Sequence, residues 1–375
     1  MDWHSLFLIL LKIICVLVPV LVIVAYAVLA ERKISAWIQD RVGPNRTAPP
    51  LALKIPILGR LLQRWGIFQP VADGLKFLLK EDFTPSYVRK AYFWIAPAIT
   101  MFPAFLVLAV IPFGSNLGGQ KMVIADLDVG ILYTFGIVSL GVYGIVLAGY
   151  ASNSKYPFLG GIRSGAQMIS YELAMGMSVV PVFLIVGDLN LGQVIAWQAQ
   201  HHWLVFYSPV SFLIFLVAGF AETNRLPFDM PESESELVGG YHTEYSSMKF
   251  ALFFMGEYAN MVAGSAMTVT LFFGGWTWPG LGDPAGTWGT GLLHIAIFVA
   301  KILVLMTVFI WVRWMLPRFR YDQLMDLGWR RAIPLALANI LVTAVVLWGQ
   351  ASRAPSLAPP QAAAAMMLER RPGST

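Results

Sequence analysis

The chain has 375 residues, of which 57% are hydrophobic and only 13% are charged, and its formal net charge is +5. Globular chains average about 25% charged residues, so this composition excludes a disordered or fibrous chain and argues against a water-soluble globule. The single cysteine, Cys15, excludes an internal disulfide framework and any all-cysteine zinc or iron–sulfur site built by this chain alone. In a membrane protein, such a basic excess is typical of cytoplasmic loops.

Long apolar segments recur along the whole chain. A helix needs roughly 20 apolar residues to cross the hydrocarbon core, and lipid offers no partner for open backbone groups. The sequence therefore predicts an all-α polytopic membrane protein, with a single membrane domain at 1–350 and a disordered Pro/Ala-rich tail at 351–375. The eight predicted transmembrane helices are 6–30, 91–113, 129–150, 165–187, 206–224, 248–273, 291–312 and 333–349.

Basic residues predict the orientation of these helices. If the N-terminus lies on the periplasmic side, the long loops are cytoplasmic and the inner loops contain 20 of the 26 Lys and Arg residues. The first span is expected to be retained rather than cleaved as a signal peptide, because 1–5 lacks Lys and Arg while the cations of 31–33 follow the span. Segments 191–203 and 71–80 read as amphipathic interfacial helices.

Four acidic residues fall inside predicted spans or at their inner ends, where each ionisable group costs roughly 2.5–3.5 kcal/mol on a lenient scale. At about 1.5 Å per residue from the nearest inner-loop cation, all four belong to the cytoplasmic half of the bilayer. They are Glu31, Glu172, Glu222 and Glu257. We expect a lateral polar network, with Lys301 as a lone base at mid-depth that must pair or lose its proton. The alternative is a set of structural salt bridges.

A second group of acids follows Glu222 in an inner loop that ends near Tyr245. A solvated acidic loop is the simple interpretation, but the prolines and Gly239-Gly240 predict a fixed turn path. Clustered carboxylates repel one another, so some should have raised pKa values and be able to relay protons. The acids of this loop are Asp229, Glu232, Glu234, Glu236 and Glu244.

Several common catalytic motifs are absent from the sequence. It contains no phosphate-binding loop for nucleotide hydrolysis, and no glycine-rich dinucleotide fingerprint follows a strand. Of the five histidines only His294 lies inside a span, which excludes a haem held by two axial histidines from helices. We therefore expect no metal site, no cofactor bound by this chain and no nucleic-acid partner.

Specific motifs are spread from the first span to the last. They include AERK at 30–33, QDRVGPNR at 39–46, QPVAD at 69–73, the segments 163–172, 221–245 and 257–258, and PRFRYDQL at 317–324. Together they closely resemble the H-subunit family of NADH-quinone oxidoreductase, whose member in the mitochondrial respiratory complex I is called subunit 1.

The resemblance implies a place at the junction of the membrane and peripheral arms, in a bacterial inner membrane. The chain would form much of the chamber through which quinone enters from the bilayer, and its buried acids would start the proton path. Electrons from NADH would arrive through FMN and iron–sulfur clusters in partner subunits. The implied partners are the peripheral subunits B, C/D and I and the membrane subunits A, J and K.

The resemblance also implies site residues by position. Quinone entrance residues are Glu31, Arg32, Arg41, Phe68 and Asp73. The proton-coupling network is implied for Glu172, Glu222, Asp229, Glu232, Glu234, Glu236, Glu244 and Glu257, to which our own reasoning adds Lys301.

One segment departs from the family pattern. Between Arg46 and Phe68 the family usually has a short Gly/Pro link, whereas here Thr47–Ile67 intervenes with a basic and apolar pattern that predicts an extra surface helix. Two other functions remain open: the matching subunit of a membrane-bound hydrogenase, and a secondary ion transporter. The entrance motif and the Gly239–Tyr245 turn favour the quinone enzyme, and the absence of internal repeats argues against the transporter.

Overall fold

A computed structural model describes residues 3–49, 56–279 and 287–353, which are mostly helical. A two-residue hairpin pairs β1 (Asn116–Leu117) with β2 (Gln120–Lys121). A 3-10 turn covers Gly240–His242, and a π-helical turn covers Leu327–Ala332. The α-helices are α1 Trp3–Ile38, α2 Pro56–Trp65, α3 Gln69–Leu79, α4 Lys90–Val107, α5 Gly130–Val138, α6 Leu140–Ala151, α7 Lys155–Val186, α8 Leu191–Gln200, α9 Leu204–Tyr207, α10 Pro209–Glu222, α11 Glu234–Leu237, α12 Ser247–Phe272, α13 Trp288–Met315, α14 Tyr321–Asp326 and α15 Ile333–Arg353.

The structure supports six of the eight predicted spans. Within the described residues, the helices long and apolar enough to cross a membrane are Leu6–Ile38, Lys90–Val107, Gly130–Ala151, Lys155–Val186, Trp288–Met315 and Tyr321–Gln350. The predicted span 206–224 contains α10, which has only 14 residues. The predicted span 248–273 is α12, whose 26 residues include Glu257 and are largely buried inside the protein. The chain is therefore consistent with a multi-pass membrane protein, and the count of eight is not confirmed.

Two helices are longer than their apolar segments. The 36 residues of α1 correspond to about 54 Å at 1.5 Å per residue, against roughly 30 Å for the hydrocarbon core. The 32 residues of α7 likewise begin ten residues before the predicted start of that span. Because a helix continues beyond its apolar part, both α1 and α7 carry polar side chains at one end, among them Glu31 and Arg163.

The predicted amphipathic segments are helical. Helix α8 begins after Asn190, whose side chain accepts hydrogen bonds from the amides of Gly192 and Gln193. Helix α3 covers the second predicted segment, and α2 provides the extra helix predicted within 47–67. The predicted disordered tail began at residue 351, but α15 continues to Arg353. The rest of that prediction, 354–375, lies outside the described residues.

Helix α4 packs against both α6 and α12, and α7 packs against α6, α10 and α15. Small residues allow the closest of these approaches. A Cβ at Gly144 in α6 would lie 2.2 Å from the Thr100 hydroxyl of α4, and Ala148, one turn later, is fully buried. Glycine at position 144 is therefore required for this contact.

The acidic loop that follows α10 has a fixed path. Gly240 has a φ of +60°, and a Cβ there would lie 1.6 Å from the carbonyl oxygen of Pro231. The Tyr245 ring stacks on Phe93 of α4 at 4.0 Å between centroids, and Tyr241 packs edge-on against Phe253 of α12. Backbone geometry and aromatic packing thus hold this loop against the helices, as the glycine pair predicted.

Candidate functional site

Glu31 of α1 is the centre of a buried ion cluster. The residue is 7% exposed. Its Oε2 atom accepts a hydrogen bond from Arg225 Nη1 at 3.3 Å and another from the hydroxyl of Tyr258. Its Oε1 atom accepts a hydrogen bond from Arg313, at the inner end of α13. Elements that are far apart in sequence therefore converge on one carboxylate.

Arg225 joins Glu31 to a second buried carboxylate. Its Nε atom forms an ion pair with Glu257 of α12, and its guanidinium lies 4.3 Å from the centroid of the Tyr258 ring. Arg225 is only 4% exposed. Buried charges are stable only when they are paired and hydrogen-bonded. The two arginines and two glutamates balance formally, so a proton added to or removed from this cluster changes its net charge.

Glu222 lies one helical turn before Arg225 but occupies a different environment. It is 8% exposed, and its Oε2 atom has no hydrogen-bond partner among the described residues. It lines a cavity of about 50 Å³ together with the polar side chains of Asn260 and Thr268. Most of the other side chains that line the cavity are apolar, so this carboxylate faces a small and largely nonpolar space. A buried carboxylate oxygen without a partner is costly, which marks Glu222 as a functional candidate.

Glu172 is the charged group whose field acts on Glu222. It is half-buried on α7, in the middle of the membrane-spanning part of that helix. Two carboxylates, one from α7 and one from α10, are thus close enough to interact electrostatically. Of the four acids predicted from depth along the helices, Glu31 and Glu257 share the ion cluster, and Glu172 and Glu222 form a separate interacting pair.

The loop acids closest to this region are Asp229 and Glu232. Burial, reinforced by the charge of Glu232, raises the pKa of Asp229 to about 6, although Arg318 donates to Asp229 at 2.7 Å. Burial also opposes ionisation of Glu232. The hydrogen bond and charge of His242, 3.2 Å away, together with Arg225, outweigh that effect and hold the pKa of Glu232 below its usual value. The surroundings of these neighbouring carboxyls thus shift their pKa values in opposite directions.

The remaining loop acids lie further out. Glu236 is exposed and pairs with Arg163 of α7 at 2.7 Å. Glu244 accepts a hydrogen bond from Tyr87 at 2.6 Å. Glu234 is the first residue of the short helix α11. Pairs as exposed as Glu236 and Arg163 contribute little energy, so we treat Glu236 as peripheral to the site.

The predicted entrance residues fall at three places. Glu31 belongs to the buried cluster described above. Arg32 and Asp73 form a 2.8 Å ion pair that joins α1 to α3, and Phe68 immediately precedes α3 and is half-buried. Arg41 lines a pocket beside α2, together with Lys33. The structure thus brings together the ends of α1 and α3 but does not gather all five residues.

Lys301 does not join the acids. Its ammonium donates to the carbonyl oxygens of Phe273, Gly275 and Thr277 at 2.7, 2.9 and 2.6 Å, where the chain leaves α12. Phe273 lies 16 residues beyond Glu257, or about 24 Å along a helix. The expectation that Lys301 pairs within the acid network has no support in these contacts, because packing places it at the other end of α12.

We expect Lys301→Met to lower the melting temperature of the purified protein by several degrees. The reason is that three carbonyl oxygens at the end of α12 lose their donor, at roughly 1–3 kcal/mol. Lys121→Met is the control, because the Lys121 ion pair with Asp126 is exposed. A melting temperature of Lys301→Met equal to that of the wild type would contradict this structural role.

Three residues of the cluster were not predicted as site residues. Arg225, Arg313 and Tyr258 each contact Glu31, although the sequence marked the arginines only as loop cations. A cation within one or two turns of a buried acid, at the inner end of a span, is the signal that would have found the arginines. Tyr258 directly follows Glu257, and no simple pattern marks it.

The described residues contain no group of three or more His, Cys, Asp or Glu side chains that could hold a metal ion. The site consists of carboxylates, guanidinium groups and hydroxyls, with a small and mostly apolar cavity beside Glu222. Such groups bind polar molecules, respond to nearby charge and transfer protons.

Comparison with known proteins identifies the relatives of this chain. The family model described as NADH dehydrogenase matches residues 11–344. The first H subunit of the NADH-quinone oxidoreductase of Cytophaga hutchinsonii is 46% identical over 332 residues, covering 86% of this chain and 92% of the relative. The corresponding H subunit of Flavobacterium psychrophilum is 46% identical over 343 residues, covering 89% and 95%.

A third relative agrees with the first two. The first NADH-quinone oxidoreductase H subunit of Geobacter sulfurreducens is 47% identical over 352 residues, covering 90% of this chain and 94% of the relative. These matches favour the quinone enzyme over the hydrogenase and transporter alternatives. The chain therefore belongs to the NADH dehydrogenase family, as a membrane-embedded H subunit of NADH-quinone oxidoreductase.

Proposed function

We propose that this subunit forms part of the quinone chamber and couples quinone reduction to proton translocation through the ion cluster of Glu31, Arg225, Glu257 and Arg313. The observation that carries the proposal is the position of Glu31. It is bonded to Arg225 inside the protein, and the next residue, Arg32, bonds to Asp73 of α3, where we place the quinone entrance. The predicted entrance and the predicted network therefore meet at consecutive residues.

The coupling proposed here is electrostatic. Reduction of a quinone in a site that excludes water requires protons and changes the local charge. Arg225 holds Glu31 and Glu257 on either side of its guanidinium, so a charge change at one carboxylate alters the field at the other. Glu222 and its cavity, one turn away, can then accept or release a proton. Electrons would reach the quinone through FMN and iron–sulfur clusters held by partner subunits.

The proposed route for quinone runs between the inner ends of α1 and α3. A photoreactive quinone bound to the intact complex should label peptides from these two helices, and an excess of unmodified quinone should suppress the label. Label found only on the hairpin and α8, at the opposite end of the protein, would overturn this route.

We expect an acidic limb in the pH profile of quinone reduction that depends on Asp229. With a pKa of about 6, this carboxyl is largely protonated below that pH and ionised above it. If the ionised form accepts the proton, the rate falls as the pH drops through about 6. Asp229→Asn should remove this limb, with a low rate at every pH.

Asp322→Asn is the matched control, because Asp322 is an exposed carboxylate beside Arg320. The control should keep the wild-type profile. An acidic limb of unchanged midpoint in Asp229→Asn would exclude Asp229 as the titrating group.

We also propose that α10 and α12 cross the membrane inside the helix bundle, which gives eight spans with the N-terminus on the periplasmic side. Burial of α12 supports this, because helices surrounded by protein need less apolar surface than helices facing lipid. The acidic loop and the ends of α1 and α3 would then face the cytoplasm. There they would contact the peripheral subunits B, C/D and I. The membrane subunits A, J and K would contact the membrane-spanning helices of this chain.

A further inference from the structure

Helix α2 encloses a pocket beside the end of α1, within the segment where this chain departs from its family's pattern. The pocket is open and has a volume of about 620 Å³. Its lining includes Lys33, Trp37, Asp40, Arg41, Arg64 and Trp65. The resemblance assigns Arg41 to the quinone entrance, but the proposed quinone chemistry gives no role to the other cations or to the tryptophans.

The pocket has an excess of positive charge. Lys33 is 7% exposed, and its ammonium donates to the carbonyl oxygens of Val42 at 3.3 Å and Arg64 at 3.1 Å. These bonds fix the ammonium at the wall of the pocket and hold α2 against α1. The salt bridges found among the described residues do not include Lys33, Arg41 or Arg64. Three cations thus surround one carboxylate, Asp40.

Two tryptophans indicate that the pocket lies at the membrane surface. Trp37 and Trp65 are 58% and 53% exposed, and Leu61 of α2 is 54% exposed. Tryptophan is enriched at the level of lipid headgroups, where the ring contacts apolar chains and its N–H contacts water. The predicted first span ends at residue 30, so we expect Trp37 to lie beyond the apolar layer, at the level of the headgroups.

We propose that this pocket binds the phosphodiester headgroup of an anionic phospholipid. The guanidinium groups of Arg41 and Arg64 provide paired donors that match phosphate oxygens. Lys33 adds a fixed positive charge behind them. Trp37 and Trp65 flank the glycerol and the first carbons of the acyl chains. A basic pocket at the membrane surface is a recognised form of headgroup site.

The test uses the whole complex, purified in detergent and titrated with short-chain phosphatidylglycerol, with bound lipids counted by native mass spectrometry. We expect Arg64→Gln to weaken the tightest bound phosphatidylglycerol about fivefold, the change given by about 1 kcal/mol per basic residue. Arg60→Gln is the matched control: Arg60 is an exposed arginine on the same helix that does not line the pocket. Arg60→Gln should bind phosphatidylglycerol as tightly as the wild type does.

Two further measurements distinguish a lipid headgroup from free phosphate. Phosphatidylcholine with the same chains should bind wild type and Arg64→Gln equally, and millimolar inorganic phosphate should not displace the phosphatidylglycerol. Displacement by inorganic phosphate would overturn the lipid assignment in favour of free phosphate. Equal losses in the Arg60 and Arg64 variants would show general surface charge instead of a site. Equal binding of phosphatidylglycerol by wild type and Arg64→Gln would overturn the proposal. It would indicate that the pocket instead contacts a partner subunit.

Discussion

Arg225→Met is expected to abolish quinone reduction and to lower the stability of the assembled complex by about 3–5 kcal/mol. The substitution leaves Glu31 and Glu257 buried without the guanidinium that joins them. Removal of one partner from a buried ion pair leaves an uncompensated charge, and here two carboxylates lose the same partner. Thermal unfolding of the purified complex and NADH:quinone turnover measure the two effects.

A second variant separates stability from function. Glu31 keeps its bond from Arg313, whereas Glu257 loses its arginine. In Arg225→Met with Glu257→Gln that unpaired charge is also removed, so part of the stability should return, with a coupling of about 1–3 kcal/mol between the sites. Quinone reduction should stay low because the connection between the carboxylates is still missing. Arg163→Met, which breaks the exposed pair with Glu236, should behave like wild type. Wild-type stability and turnover in Arg225→Met would refute the role of the cluster.

Glu222→Gln is expected to reduce proton-coupled turnover by about a hundredfold, the lower end of what a positioned proton-transfer group contributes, while the complex still assembles. Assembly should survive because Glu222 forms no salt bridge among the described residues and glutamine has nearly the same shape. Membrane vesicles provide the measurement, with NADH oxidation and the pH gradient recorded together.

Glu236→Gln is the matched control for this variant, since it makes the same chemical change in an exposed loop pair. It should pump protons normally. Glu222→Asp keeps the carboxyl group and should recover part of the rate. If Glu222→Gln and Glu236→Gln pump equally well, Glu222 does not carry protons.

The sequence predicted the buried acids better than their partners. The depth of a residue in the membrane can be estimated by counting residues along its helix from a loop cation. Glu31 and Glu257 could therefore be assigned to the same half of the bilayer. The rotation of each helix, and therefore the direction of each side chain, depends on packing with other helices. That is why Arg225, which joins the two acids, was not predicted as a site residue.

Lys301 is a second residue whose partners could not be predicted from the sequence. It was assigned to mid-depth as a base that needs a partner, and the acids were the only partners visible in the sequence. In the fold it donates to three backbone carbonyls where α12 ends. Backbone acceptors at a helix end are available in every sequence, so no residue pattern distinguishes them. Similarly, the burial of α12 became clear only from its neighbours.

The most direct test of the coupling proposal is infrared difference spectroscopy of the intact complex as its quinone is reduced. The account predicts a carboxyl band that changes on reduction in wild type, is missing in Glu222→Gln and is kept in Glu236→Gln. A band that persists unchanged in Glu222→Gln would mean that the protonation change occurs elsewhere, and it would contradict the proposed path.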